Sequence, residues 1–175
     1  MKNPTEPAVY ACRVDTPEGT RDYFTLLTPD VVSSQGLAPE SIIGMLLRPL
    51  GTGESITPEV FARNRVFVDF MHDVFARYAP QQPGCQSEAK RLGDGWICII
   101  DQRTPTPKGP VPPEDIIGVI EVKGGAVVPG SYRASHKHMI LSPNGFFQLE
   151  RGLRDCLLRE LAVRNAEHGE KGRSV

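Results

Sequence analysis

No stretch of the sequence approaches the ~18 uncharged apolar residues of a membrane-spanning helix, so no membrane role is predicted. Basic residues are not in excess either: 20 Lys and Arg stand against 21 Asp and Glu, a formal net charge of −1. That balance lacks the electrostatic footprint of a general nucleic-acid or membrane-surface binder, and nucleic acid is not expected as a partner. Cysteines are few. Cys12, Cys85, Cys98 and Cys156 form no CxxC pair and no short regular spacing, which argues against a disulfide framework or a zinc knuckle. No apolar run follows Lys2 in the stretch from Met1 to Pro7, so no secretory signal is expected. Glycine-rich phosphate loops are missing too. Gly124-Gly125 and Gly51-x-Gly53 read as turns, without the helix and lysine pattern that a nucleotide site needs. These absences together predict a reduced, soluble, cytoplasmic protein with no cofactor.

Turn formers are plentiful instead, with 17 glycines and 16 prolines among 175 residues. Short elements joined by many turns follow from that composition, and a helical bundle does not. Residues 8–14 read as a strand, and Tyr23 to Leu27 suit its antiparallel partner across Thr16-Pro17-Glu18-Gly19. Short helical pieces are predicted near Asp30–Ser34 and Glu40–Leu47. Thr57-Pro58-Glu59 then reads as the start of a long helix running to about Tyr78. Residues 80–93 read as a polar loop. Gly95 to Asp101 is a continuous apolar run suited to a central strand, and Ile116 to Val122 is the next strand. Between them, residues 102–113 carry five prolines and are predicted to form an ordered or extended excursion rather than an element. Lys123-Gly124-Gly125 turns into Ala126-Val127-Val128, and His138 to Leu141 suggests one more short strand. A second helix is predicted over about Phe146 to Asn165, followed by a frayed polar tail at 166–175. The expected architecture is a single α+β domain over 1–165, with one mostly antiparallel sheet of five to six strands packed on two long helices and short helical pieces.

Three constellations could carry chemistry. Asp94 opens one strand, while Glu121 and Lys123 share a face near the end of the next. This arrangement resembles the metal-dependent phosphodiesterases of the PD-(D/E)xK type. There the carboxylates hold Mg²⁺ and the lysine sits by the attacking water. The resemblance covers about thirty residues, and Gly-Asp stands where that family has Pro-Asp. A tight hairpin also follows Lys123, where that nuclease core has a helix. Next, Gly130 followed by His136-x-His138 resembles the first metal motif of cupins. Ser142 and Pro143 occupy the positions of the cupin glutamate, and a helix takes the ground of the second motif. No metal site is therefore predicted. Lastly, Tyr132, Arg133, His136, Lys137 and His138 concentrate cationic and hydrogen-bonding groups within seven residues. Such a set suits a small anionic ligand or an acidic protein surface.

The function expected from the sequence is thus a non-catalytic binding module for a protein partner or a small anionic ligand. The alternative is a phosphodiesterase using Asp94, Glu121 and Lys123. A homodimer is also expected. On the helix predicted over 58–78, apolar residues cover roughly 220° of the wheel against the ~100° that one buried stripe needs. Val66 and Phe70 form the excess flank, which a twofold partner could cover.

Overall fold

The computed structural model describes residues 9–103 and 109–173. Ala8 at the predicted start of the first strand, Pro105 and Pro107 in the proline-rich excursion, and the last two residues of the tail lie outside the described residues. The chain is α+β with antiparallel sheets, and it divides into two compact units. Among the described residues there are three sheets, of four, four and two strands, in place of the single sheet of five to six.

The first unit comprises the chain up to Phe70, Ile140–Phe146 and the segment from Leu158 onward. Its sheet begins with the predicted hairpin, β1 (Tyr10–Thr16) and β2 (Gly19–Thr25), with Pro17 and Glu18 in the turn. Helix α1 (Pro29–Gln35) follows as expected. The helix predicted at Glu40–Leu47 is instead a 3₁₀ turn at Pro39–Ser41 and a strand, β3 (Gly44–Leu46). Gly44 decides this. It pairs with Phe24 on one side and Arg63 on the other, and the Phe61 ring lies where any Cβ would stand. The Thr57-Pro58 start gives only the 3₁₀ turn Pro58–Val60 before β4 (Phe61–Arg63) completes the order β1-β2-β3-β4.

Helix α2 therefore spans Arg65–Tyr78, shorter than predicted. Its cap is Asn64, whose Oδ1 accepts the Val66 N–H at 3.2 Å while its Nδ2 donates to the carbonyls of Pro39 and Ile42, each at 2.8 Å. The Arg164 guanidinium covers the Phe70 ring at 5.8 Å, so Val66 alone keeps the expected apolar flank exposed. Strands β9 (Leu141–Ser142) and β10 (Gly145–Phe146) form the two-stranded sheet. The rings of Phe24, Phe61 and Phe146 meet with centroids 5.5–5.9 Å apart.

Helix α4 (Arg151–Arg173) begins later and ends later than predicted. The tail expected to fray stays helical through Arg173 because this end of the helix is tied down. Asn165, fully buried, accepts the Ala38 N–H at 2.8 Å and donates to Gln35 Oε1 and the Gly36 carbonyl. Arg173 donates to the Ser34 carbonyl at 3.1 Å.

The second unit comprises Met71–Met139 and Phe147–Leu157. The predicted loop at 80–93 holds helix α3 (Pro83–Leu92), ended by Gly93 at φ +78°. Cys85, Ala89 and Leu92, spaced i, i+4, i+7, pack on Ile97, Val122 and Val127 of the sheet. That sheet contains β5 (Gly95–Ile100), β6 (Ile116–Lys123), β7 (Ala126–Val127) and β8 (Arg133–Ala134). Strand β6 is its centre, with β5 along one edge and both β7 and β8 along the other. Among the described residues the strand predicted to be central is thus an edge strand. Its Trp96 is 46% exposed beneath the Arg133 guanidinium at 5.4 Å. No helix among the described residues is long and apolar enough to cross a membrane.

Candidate functional site

Each sequence-predicted site residue has a definite place in the second unit. Asp94 Oδ1 accepts the Gly124 N–H at 2.9 Å and so closes the β6–β7 turn. Glu121 faces Trp96 across the strands and pairs with Lys123 at 3.4 Å. The carboxylates of Asp94 and Glu121 are thus occupied by a turn and an ion pair. Among the described residues no group of three or more His, Cys, Asp and Glu is arranged to hold a metal. The Tyr132 hydroxyl lies 2.7 Å from His72 Nδ1, and burial pushes the Tyr132 phenol above its usual range. Arg133, His136 and Lys137 are exposed.

His138 turns the other way. It is buried, with Nε2 2.8 Å from Asp101 Oδ2, so the basic segment does not present all five of its polar side chains to one ligand. The inward turn joins it to a charged cluster at the end of β5. Arg103, whose side chain is fully buried, sets Nη2 3.1 Å from Asp101 Oδ2 and 3.2 Å from Asp115 Oδ1. The same nitrogen donates to the carbonyls of Glu114 at 3.1 Å and Met139 at 2.7 Å. Two carboxylates are met here by one guanidinium and one imidazole, the pairing that buried charge requires.

This cluster fixes the wall of a cleft. Asp101 Oδ1 accepts the N–H groups of Arg103 at 3.1 Å and Gln148 at 2.9 Å, and the Gln102 N–H donates to the Gln148 carbonyl at 2.8 Å. The end of β5 is thereby fastened to the segment that leads into α4. Between them lies a hollow of about 300 Å³, with Cys85 and Glu88 of α3 on one side and Leu149, Glu150 and Leu153 on another. Ile97, Cys98, Ile99 and Ile100 of β5 all border it. Successive side chains of a strand point to opposite faces, so only the edge of a strand can offer four consecutive residues to one hollow.

That edge is open. Glu121 makes its outer bonds on the far side of β6, its carbonyl accepting Val128 N–H at 2.9 Å and its N–H donating to Ser131 Oγ at 3.1 Å. Val119 pairs with Arg133 on that same side. Their partners across the other edge, Trp96 and Cys98, therefore sit in the pairs that exchange no hydrogen bonds and point their N–H and C=O groups away from β6. Among the described residues no strand pairs with that side of β5.

Glu88 and Glu150 are the only charged residues lining the cleft among those described. Glu88 bonds to Arg91, which holds its carboxyl below the usual range. Burial, with a contribution from the charge of Glu150, pushes the Cys85 thiol up. Sequence reasoning missed the cleft because its walls come from separate segments. The period of Cys85, Ala89 and Leu92 was the signal that could have revealed one of them. No protein family, curated protein or solved structure matches the chain.

Proposed function

We infer that the chain is a non-catalytic binding module whose second unit receives a protein partner along the open edge of β5. The observation that carries this reading is the apolar edge strand Gly95–Ile100, with unpaired backbone groups bordering a cleft of about 300 Å³. Sheet edges of this kind are where proteins accept an added strand. The fastening of β5 through Asp101 and Gln148 supports it, because a pre-set edge loses less conformational freedom on binding. A cytoplasmic location is part of this proposal. Exposed Cys98 gives a direct test. A photo-reactive maleimide placed there should cross-link a distinct protein from an extract. That protein, purified, should bind the wild-type chain and lose at least ten-fold in affinity for Cys98→Arg. No cross-linked species, or one indifferent to Cys98→Arg, refutes the reading.

A second reading, a small anionic ligand at the basic segment, is favoured by one arrangement. Arg133 lies over Trp96 with its guanidinium exposed, and His136 and Lys137 are exposed close by in sequence. A flat cation supported by an aromatic face is a suitable partner for phosphate or carboxylate. Self-association, expected from the sequence, is likewise a proposal, with Val66 as its remaining exposed contact on α2.

A further inference from the structure

We propose that the β5 cleft takes an extended peptide segment of the partner that adds to β5 as a strand, sets an apolar side chain among Ile97, Leu149 and Leu153, and places a Lys or Arg side chain against Glu150. This rests on the reading of the chain as a partner-binding module and names the chemistry of the partner.

The outward N–H and C=O groups of Trp96 and Cys98 need a backbone partner, and an extended chain supplies donors and acceptors at the matching repeat. At Ile100 the carbonyl accepts Gln102 Nε2 at 3.2 Å, and only its N–H, turned away from β6 because that of Asp101 reaches the Asp115 carbonyl, is left for the added strand. A small molecule cannot match several such groups along one line. The hollow is apolar where Ile97, Leu149 and Leu153 border it, which calls for an aliphatic or aromatic side chain. Its charge is of one sign. Glu88 is balanced by Arg91, while Glu150 is exposed and its carboxylate comes within 3.8 Å of a Cβ placed on Gly84, at the first turn of α3. A cation arriving at Glu150 meets a carboxylate with no basic neighbour among the described residues that line the cleft.

The same balance disfavours other occupants. A nucleic acid would set phosphates against Glu150. A twofold pairing of two β5 edges would repeat Glu88 and Glu150 on both sides of the interface, with no basic residue among the described residues that line either cleft. An extended basic–apolar segment satisfies backbone, hollow and charge together.

The probe is a phage-displayed library of random octapeptides, selected on the full chain. Enriched peptides are then synthesised and their affinities measured by fluorescence anisotropy. The selected sequences should alternate apolar residues with Lys or Arg, and exchanging that basic residue for Glu should weaken binding at least ten-fold. Glu150→Gln should narrow this preference, and Glu150→Lys should reverse it. Because Glu150 is exposed, neither change endangers the fold. Bound peptide should slow amide hydrogen exchange at Trp96, Cys98 and Ile100. Peptides without a basic residue that nevertheless protect those three amides overturn the chemistry proposed here and leave the partner-binding reading standing. No enrichment, or peptides that leave the three amides unprotected, overturns strand addition. If the Cys98 cross-link is then also empty, the partner-binding reading falls with it.

Discussion

Replacing Arg103 by Met isolates the cluster that fastens β5. The substitution keeps a long apolar stem but removes the charge shared by Asp101 and Asp115, along with donors to the Glu114 and Met139 carbonyls. Both carboxylates are fully buried and stay behind. Breaking a buried pair by deleting one partner costs roughly 3–5 kcal/mol, because an uncompensated charge is left in a low-dielectric site. Set against a total stability of about 5–15 kcal/mol, that is a large fraction. For a chain of this length about 2–4 °C of melting temperature goes with each kcal/mol, so the expected drop is roughly 6–20 °C. Trp96 is the one tryptophan and lies in the second unit, so its fluorescence during urea unfolding reports on that unit. The mechanism is charge rather than packing. Asp115→Asn added to Arg103→Met should therefore recover part of the loss, whereas cavity formation would make the two substitutions additive. A loss below about 1 kcal/mol for Arg103→Met, or simple additivity in the double variant, refutes the argument.

Four further outcomes are expected. Phosphate or sulfate should raise the melting temperature of the wild type more than that of Arg133→Ala, by about 1.4 kcal/mol of linkage at ten times the dissociation constant, and equal shifts would leave the basic segment an ordinary surface turn. The Glu54 carboxyl, held by Arg48 and the Gly51 N–H, has its pKa lowered to about 2. Its contribution to stability is thus present above pH 4.5 and lost as pH falls towards 2. By NMR titration Arg48→Ala should move the midpoint back up, and an unchanged midpoint refutes the pairing. Burial raises the Tyr132 phenol pKa, so its contribution is complete below pH 10 and declines as pH rises beyond it. Tyr132→Phe should remove that alkaline decline and cost about 1 kcal/mol for the bond to His72. Light scattering at micromolar concentration should give twice the 19.2 kDa of one chain, and a mass constant at 19.2 kDa across dilution would rule out the dimer.

The elements legible in the sequence are those whose signals are local. The β1–β2 hairpin was marked by strand-like runs on either side of Pro17 and Gly19, and the β6–β7 turn by Gly124-Gly125. What stayed hidden depended on distant partners. Thr57-Pro58 carries a stronger capping pattern than Asn64, yet β4 must pair with β3, and that pairing leaves only Asn64 to cap α2. Helix α3 was masked by the Pro, Gln and Gly around it, although three of its residues keep a helical period. Strand β5 is apolar on both faces, which in sequence reads as a central strand, since no local feature separates a covered strand from one bordering a cleft. The site was less legible still. Asp101, Arg103, Asp115 and His138 have no common spacing, and the polar neighbours of His138 give no sign that its side chain turns inward.

An unpaired apolar edge is also a nucleus for the wrong assembly. Gly-Trp-Ile-Cys-Ile-Ile carries no charge and no proline, the composition of segments that stack into cross-β fibrils. On the ribosome it emerges before β6, so for a time both of its edges are bare. Once the chain is folded, a bound partner strand would shield the remaining edge as a chaperone does. If the proposed partner strand binds there, copies made in excess of it would be the ones that aggregate, and the tolerable abundance of this protein would be tied to that of its partner.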